Sequence, residues 1–498
     1  MAVTAFSHQW IYQSPAQDLI ELPSAVLRRD ATVRDVVGVI GRYDDCVAIV
    51  ADNGTLMQLA DTLAIIGWFA RGLSMNDTLP PPSSTAVRTI GADASVLATL
   101  AHMIAHQQSC VAILDNRGLL KGVVRRDRIL AKAAGFVWDI ARAAGAEEVG
   151  KPRSGHAMRD LQASIAEDML AAELPTEAIL ATISGINIEV HRYVLADAVV
   201  SMENDGWGKP PVPFSFIVLG SSGRLENFLD TDQDNALIIG ESRPEPEQRE
   251  QAQTYFIALS QRLADGLAAS GFPHCKGNMM ATSPVWRKTE SEWSQQIRIW
   301  VRRKEPILLM NCDALLDMAH VAGAADLAGK LHQDLVRLVS REPGFLRALY
   351  SIEENHGVGL DWFGQLTREK DIFGPVAEVN LKLRGLLPLI EGARLLAVGA
   401  GIRDTSTVAR LRALVGRGVV SEDTITGLVE SYRLIAAQLL HHQIATLQSR
   451  ASSPVNVTHD SMSPAQRTAL RSALRRIATF RSQLPSLLES TAQSITRT

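Results

Sequence analysis

The chain has 498 residues, of which 46% are hydrophobic, and its 50 basic and 54 acidic side chains give a formal net charge of −4. This length exceeds one ordinary hydrophobic core, so two to four domains are expected, and the composition excludes an intrinsically disordered chain. The slightly negative charge argues against broad electrostatic binding of nucleic acid. A small-molecule or protein substrate is therefore expected.

The four cysteines are scattered along the chain at Cys46, Cys110, Cys275 and Cys312. Because they form no CxxC pair, the sequence predicts neither a disulfide framework nor a zinc site. The N-terminus lacks a basic start followed by an apolar core, and no run of about 18 apolar residues occurs. These features favour a cytoplasmic protein that does not enter a membrane.

A weak internal repeat occupies the first quarter of the chain, where residues 30–54 align with residues 93–118. Each copy predicts a capped helix, a buried strand, a turn at Asn53–Gly54 or Arg117–Gly118, and a second strand leading into a helix. Two such units form one module.

This arrangement resembles a tandem pair of CBS domains, whose β-α-β-β-α repeats often bind adenine nucleotides and regulate an attached enzyme. The resemblance implies a CBS pair over residues 21–140, preceded by an N-terminal arm over residues 1–20. In the family, a Thr or Ser followed by an Asp at the end of the last strand holds phosphate and ribose. The corresponding stretches end at Asp61 and Asp127 without that hydroxyl residue, so an adenine-nucleotide site and a purely structural or dimerising role both stay open.

The remaining chain divides by its hydrophobic pattern. Three consecutive prolines after Leu79 predict a stiff connector between the two repeats. Residues 150–206 have a helical pattern, residues 207–332 a mixed α/β pattern, and residues 333–490 a mostly helical pattern. The predicted fold class is therefore a multidomain α+β protein, in which a CBS pair precedes an α/β domain and a C-terminal helical bundle.

The stretch FIVLGSSGRLENFLDTDQDNALIIG, residues 216–240, carries the clearest chemistry. A buried strand is predicted to end at Gly220, where the hydroxyl and N–H groups of Ser221 and Ser222 can surround a phosphate oxygen. Asp232 and Asp234 stand one residue apart, so on a strand both carboxylates face the same side. Two carboxylates beside a phosphate-binding turn suit Mg²⁺ carrying a nucleotide, although a solvated hairpin end is the alternative.

A Gly-Ser turn followed by Asp-x-Asp on the adjoining strand is similar to the motif of polymerase-beta-type nucleotidyltransferases. Longer stretches beginning at Gly220, Gly271 and Phe373 closely resemble a bacterial nucleotidyltransferase family with CBS domains in front and a helical substrate-binding domain behind. That family is related to the PII-protein uridylyltransferases and the glutamine-synthetase adenylyltransferases. The resemblance extends over nearly the whole chain, to about Gln448.

The resemblance implies transfer of a nucleoside monophosphate from a nucleoside triphosphate to a hydroxyl group of a protein acceptor, such as a signalling protein of PII type. Two Mg²⁺ ions would lie between the carboxylates and the triphosphate, the CBS pair would regulate the reaction, and a homodimer is expected. No His and Asp cluster of the HD type follows the transferase region, so removal of the nucleotide is not expected. The alternative is a non-catalytic protein that senses a nucleotide or serves as a scaffold.

Several further residues are candidates for the nucleotide site. Arg224 is expected either to neutralise the triphosphate or to pair with Glu226. Lys276 and Asn278 share a face if their segment is extended, and could then contact phosphate or base. Cys275 follows His274 directly, and because neighbouring side chains of an extended segment point apart, the pair is not expected to form a catalytic dyad.

The resemblance also implies a third carboxylate from a neighbouring strand. Asp317 is the assignment and Asp313 the second choice, against the alternative that both acids lie exposed on a helical turn. Farther along, Arg394 is expected either to position a partner protein or to have a structural role.

Overall fold

The structure is a computed structural model. It describes the following residues: 14–40, 46–80, 89–106, 108–115, 119–132, 153–241, 245–354, 356–367, 369–371, 374–376, 378–449, 456–458 and 462–496. The predicted turn at Arg117–Gly118 lies outside the described residues. No helix in the described ranges is long and apolar enough to cross a membrane.

The chain forms two compact units, one within residues 1–139 and 171–174 and the other within residues 140–170 and 175–498. The first unit contains the elements of the internal repeat: β1 (Ala25–Arg28), α1 (Val33–Val39), β2 (Val47–Val50), β3 (Leu56–Ala60), α2 (Thr62–Ala70), β4 (Thr89–Ile90), α3 (Val96–Ala105), β5 (Cys110–Leu114) and β6 (Leu120–Arg125). Residues 126–132 are helical and complete the second copy.

The two repeats have the same topology. In each three-stranded sheet the middle strand runs parallel to the first and antiparallel to the third, in the orders β1-β2-β3 and β4-β5-β6. Thr32 and Ser95 begin the corresponding helices by accepting hydrogen bonds from backbone N–H groups three residues later. The predicted β-α-β-β-α repeat is therefore confirmed.

The second unit begins with two helices and a four-stranded sheet. Its first elements are α4 (Arg153–Ala171), α5 (Thr176–Asn204), β7 (Phe214–Val218), α6 (Gly220–Gly223), β8 (Asn235–Ile239), α7 (Pro246–Ala269), β9 (Arg287–Thr289), α8 (Glu290–Arg303), α9 (Pro306–Leu316), β10 (Ala319–Gly323) and α10 (Ala325–Ser340). The strand order is β10-β7-β8-β9, with β7 antiparallel to β8 and β10. Buried Phe216 on β7 and Phe256 on α7 belong to its core.

A helical bundle follows the sheet in the same unit. Its elements are α11 (Pro343–Glu353), β11 (Glu369–Asp371), β12 (Gly374–Val376), β13 (Glu378–Asn380), a π-helical turn (Lys382–Leu386), α12 (Leu387–Gly399), α13 (Thr407–Gly416), α14 (Glu422–Ser449), β14 (Asn456–Thr458) and α15 (Pro464–Thr496). Every residue of α12 from Pro388 to Gly399 is buried. A helix buried on all sides is the centre of its bundle, and α12 nevertheless carries two charged side chains, Glu391 and Arg394.

The predicted fold class, a multidomain α+β protein, is confirmed. The predicted helical pattern before the sheet forms two helices, α4 and α5, because Glu173 has a left-handed φ of 55° and Pro175 follows it. The strand β8 begins only at Asn235, so Asp232 and Asp234 precede the strand on which the sequence placed them.

Candidate active site

Three chain segments meet at one end of the four-stranded sheet. Strand β7 ends there at Val218, opposite Asn235, which begins β8, and opposite Ala319, which begins β10. The Gly-Ser turn, the Asp232–Asp234 segment and Asp317 therefore share this end of the sheet. They adjoin three different strands, of which β7 is the middle one.

The Gly-Ser turn is a single helical turn that needs glycine at two positions. Gly220 has a φ of +56°, which lets the chain leave β7 in a left-handed conformation. Gly223 passes so close to the next strand that an added Cβ would lie 1.8 Å from the carbonyl oxygen of Asp317. No side chain fits in that space, so Gly223 sets how closely the turn and the start of β10 can pack.

A buried asparagine orders the two serines. The side-chain amide of Asn227 lies 3.1 Å from the Ser221 hydroxyl and 3.0 Å from the Ser222 hydroxyl. Its own carbonyl accepts a hydrogen bond from Asn187 at 3.2 Å. Because Asn227 is fully buried, these bonds fix the turn without competition from water.

Asp232 and Asp234 come together with a third side chain, the thiol of Cys275. One ligand atom from each of the three lies within 4.8 Å of the other two. The intervening Gln233 points the opposite way and donates to the carbonyls of Ala264 and Phe272 at 2.9 Å. The expected alternation therefore holds even though the segment precedes the strand.

Asp234 is an unusual carboxylate. Burial raises its pKa to about 6, and the nearby charge of Asp232 adds to that effect, whereas a hydrogen bond from Cys275 opposes it. Its Oδ1 atom is buried and has no hydrogen-bond partner among the described residues. A buried carboxylate oxygen without a donor is costly unless a cation binds it.

These residues fit a divalent cation. The orphaned oxygen of Asp234, the adjacent Asp232 carboxylate and the Cys275 sulfur are all atoms that ligate metals. The structure therefore fits the prediction that Asp232 and Asp234 hold a metal ion.

Asp317 has a different environment, and its assignment as the third metal ligand is a correction. It is fully buried, and both of its oxygens accept from arginines: Arg410 at 2.5 Å, Arg394 at 2.6 Å and Arg224 at 2.7 Å. Burial would raise the pKa of this carboxyl, but the three guanidinium groups hold it well below its usual range. We call Asp317 and these three residues the arginine cluster. A carboxylate already neutralised by three cations has no reason to bind a metal ion.

Asp313, the second choice, also pairs with an arginine of this cluster. Its Oδ2 accepts from Arg394 at 2.5 Å. Arg394 is 3% exposed, so its structural role prevails over the alternative of positioning a partner protein. Arg224 is likewise occupied, by Asp317 and by Glu226 at 2.9 Å. Of its two predicted roles, the pair with Glu226 is the one observed.

Two family models match successive parts of the second unit. Residues 161–307 match the family described as "Putative nucleotidyltransferase DUF294", and residues 343–486 match its "Putative nucleotidyltransferase substrate binding domain". Together the two matches cover more than half of the chain. Both domains of this nucleotidyltransferase family are present in the chain.

Three solved structures are among those that the chain resembles over about a quarter of its length. A CBS domain protein from Pyrobaculum aerophilum complexed with AMP is 18% identical, with 24% of this chain and 98% of that chain covered and a TM-score of 0.21. OpuCA of Staphylococcus aureus is 19% identical, with 24% of this chain and 97% of that chain covered and a TM-score of 0.20. The CBS domains of a transcriptional regulator from Streptococcus pneumoniae are 17% identical, with 23% of this chain and 96% of that chain covered and a TM-score of 0.20. Comparison with curated protein sequences gave no match.

Lys276 and Asn278 of the nucleotidyltransferase domain do not lie on an extended segment. The chain turns at this point, because the Asn278 N–H donates to the Cys275 carbonyl at 3.1 Å and Asn278 has a φ of +55°. Both side chains are exposed. The premise that they share one face of an extended strand is therefore wrong.

Sequence reasoning missed three residues of the nucleotidyltransferase site. Asn227 lay inside the quoted motif but was not singled out, although a polar residue five positions after a Ser-Ser pair can reach back to it. Cys275 is brought to Asp234 by the fold. Lys382, from the substrate-binding domain, is exposed, and its positive charge lowers the pKa of Asp234. No sequence pattern links the last two residues to the carboxylates.

Proposed function

We propose that this protein is a Mg²⁺-dependent nucleotidyltransferase that moves a nucleoside monophosphate from a nucleoside triphosphate to a hydroxyl group of a protein acceptor. The observation that carries the proposal is the pair Asp232 and Asp234 beside the Gly-Ser turn, where one buried oxygen of Asp234 has no donor among the residues that the structure describes. A protein acceptor of PII type is supported by the resemblance of the sequence to the uridylyltransferases.

Each part of the site has a task in this reaction. The partly exposed Ser221 and the first N–H groups of the helical turn, which have no acceptor within that turn, bind triphosphate oxygens. Asn227 positions this turn, since its side-chain amide donates hydrogen bonds to both serine hydroxyls. Lys382 supplies positive charge from the substrate-binding domain.

Asp232 and Asp234 would hold the metal, which when bound neutralises charge on the triphosphate and favours the ionised form of the acceptor hydroxyl. Arg224 acts indirectly. By pairing with Asp317 and Glu226 it anchors the turn that carries the serines. Glu226 in turn accepts from the N–H group of Thr407 at 2.6 Å, at the start of α13.

Transfer can be tested with the full chain, Mg²⁺ and each of the four α-labelled ribonucleoside triphosphates, with a purified PII-type protein or cell lysate as acceptor. We expect one nucleotide to label one protein band. Asp232→Asn and Asp234→Asn should each lower the rate by about a thousandfold or more, which is about 4 kcal/mol of transition-state stabilisation.

Asp230→Asn is the matched control. Asp230 lies two residues before Asp232, its side chain is 49% exposed, and its ion pair with Arg159 spans 3.3 Å. This variant should keep full activity. Unchanged labelling by Asp234→Asn, with a melting temperature like that of the wild type, would remove the carboxylate pair from the reaction.

The CBS-type pair is proposed to regulate this activity through an adenine nucleotide, in an enzyme that is a homodimer. The same labelling assay with added AMP, ADP or ATP tests the regulation. Light scattering at micromolar concentration tests the dimer, and a monomer there would contradict it.

A further inference from the structure

Cys275 reaches the two carboxylates because its segment runs alongside theirs. The Gln233 N–H donates to the Pro273 carbonyl at 3.1 Å, and the Asn235 N–H donates to the Met279 carbonyl at 2.9 Å. These two bonds fix the backbone on both sides of Cys275. The position of the thiol is therefore set by the same contacts that position Asp234.

Cys275 is 9% exposed, and its thiol hydrogen-bonds to Asp234. Burial and the neighbouring Asp234 carboxylate raise the pKa of this thiol to about 11, and the backbone N–H groups of Met279 and Gly277 oppose that shift only in part. A metal-binding cysteine is a thiolate, so a cation that binds here must displace the thiol proton.

A second observation concerns the Asp234 carboxylate of this group. Oδ1 of Asp234 is buried and finds no donor in the described part of the chain. The three ligand atoms lie within 4.8 Å of one another. Oxygen and sulfur ligands lie at about 2.0–2.3 Å from one tetrahedral divalent ion, so their mutual separations are about 3.3–3.8 Å. The three atoms would therefore have to approach one another by at most about 1.5 Å to bind one ion.

The ligand set decides which cations are favoured. Mg²⁺ prefers oxygen ligands, whereas thiolate sulfur favours Zn²⁺ and related transition metals. Two carboxylates with one thiol therefore form a mixed site that accepts a hard ion through oxygen and a thiophilic ion through oxygen and sulfur together.

We propose that Asp232, Asp234 and Cys275 form a binding site for a thiophilic divalent cation of the Zn²⁺ or Co²⁺ class, with the Cys275 sulfur as third ligand. Binding forms one metal–sulfur bond and releases the thiol proton to solvent. Because Asp232 and Asp234 are shared, the thiophilic ion competes with Mg²⁺ and inhibits nucleotidyl transfer. The competition rests on the proposed function, but binding of the ion does not.

Cobalt provides a direct probe, because thiolate bound to Co²⁺ gives a charge-transfer absorption band in the near ultraviolet that oxygen ligands do not give. The full-length reduced protein is titrated with Co²⁺, and Zn²⁺ affinity is measured by isothermal titration calorimetry. We expect the band in the wild type, its loss in Cys275→Ser, and a tenfold or greater weakening of Zn²⁺ binding in that variant and in Asp234→Asn.

Cys312→Ser is the matched thiol control. Cys312 is a buried cysteine on α9 outside the three-residue group, so this variant should keep both the band and the Zn²⁺ affinity. Excess Mg²⁺ should weaken the band in the wild type. A band that persists in Cys275→Ser, or equal Zn²⁺ affinity in Cys275→Ser and wild type, overturns the proposal.

The transfer assay separates this proposal from the proposed function. If the cobalt band depends on Cys275 but no nucleotide is transferred, the metal site stands and the enzymatic function fails. If transfer depends on Asp234 while Cys275→Ser binds Zn²⁺ like the wild type, the enzyme stands and the sulfur ligand fails. When both hold, Zn²⁺ should inhibit Cys275→Ser at least tenfold more weakly than it inhibits the wild type.

Discussion

Asp234 and Asp317 lie at the same end of one sheet, and their surroundings are opposite. Asp317 is fully buried between three guanidinium groups, and its pKa is held low. Asp234 is partly exposed, one of its oxygens is buried without a donor in the described part of the chain, and burial raises its pKa to about 6. A carboxylate whose charge is compensated within the protein stabilises the fold, whereas one left uncompensated is available to a cation.

Asp317→Asn should have the largest effect on stability. It leaves three buried arginines facing a neutral amide, and removal of one partner from a buried ion pair costs about 3–5 kcal/mol. The free energy of unfolding can be measured by urea denaturation followed by tryptophan fluorescence. The probe is Trp286, Trp293 and Trp300, which contact one another near the sheet.

The matched substitution Asp234→Asn should leave the free energy of unfolding unchanged in the absence of metal, or raise it slightly. The reason is that it removes a charge that burial disfavours. Equal losses of stability in the two variants would contradict the contrast between the two carboxylates.

Gly223→Ala should have the next largest effect. Its Cβ would lie 1.8 Å from the Asp317 carbonyl oxygen and 3.1 Å from the Met318 Cα, both backbone atoms that cannot turn aside. Overpacking of this kind costs about 2–3 kcal/mol. Melting temperature compared with that of Gly220→Ala tests the prediction.

Gly220 is the glycine of the turn that lies next to Asp234. An added Cβ there makes an ordinary 3.5 Å contact with Asp234 Oδ2, so only the left-handed φ of +56° resists the change. That strain costs about 1 kcal/mol. If Gly220→Ala lowers the melting temperature more than Gly223→Ala does, the close approach at Gly223 does not control the packing.

Acid should also affect stability at the arginine cluster, through His332. Burial lowers the pKa of His332 to about 4, and the charge of Arg410 adds to this. Between pH 6.5 and pH 4 the unfolded chain therefore binds a proton that the folded chain does not, and stability falls as the pH falls. Because the ring is partly exposed, we expect a loss of about 1–2 kcal/mol rather than the full value for a shift of this size.

Urea denaturation of wild type and His332→Gln at pH 7.5 and pH 4.5 measures this loss. The variant should lose less stability on acidification. A difference between the two proteins that stays constant with pH would show that His332 does not titrate in this way.

The sequence was informative where chemistry is local. The repeat, the mostly helical pattern of residues 333–490, the glycine turn and the alternation of Asp232 with Gln233 all follow from patterns of a few residues. They are present in the structure, with Asp232 and Asp234 moved from the strand to the segment before it.

The role of Asp317 could not be read in the same way. It depends on Arg224 and Arg410, both 93 residues away in sequence, and on Arg394, 77 residues away. The sequence predicted only that Cys275 and its neighbour His274 form no catalytic dyad. That local argument cannot predict that the thiol contacts Asp234, which comes from a different segment. Contacts between distant segments decide whether an acid or a thiol is structural or reactive.

The arginine cluster also has a consequence for how the two family domains can be separated. Asp317 and Arg224 lie on the sheet side, while Arg394 and Arg410 come from α12 and α13 in the substrate-binding domain. Cutting the chain between the two domains would leave Asp317 with only Arg224 of its three arginines, and it would leave Arg394 and Arg410 without that carboxylate. The two domains are separate in sequence, but their buried charges compensate one another, so we expect them to fold as one unit.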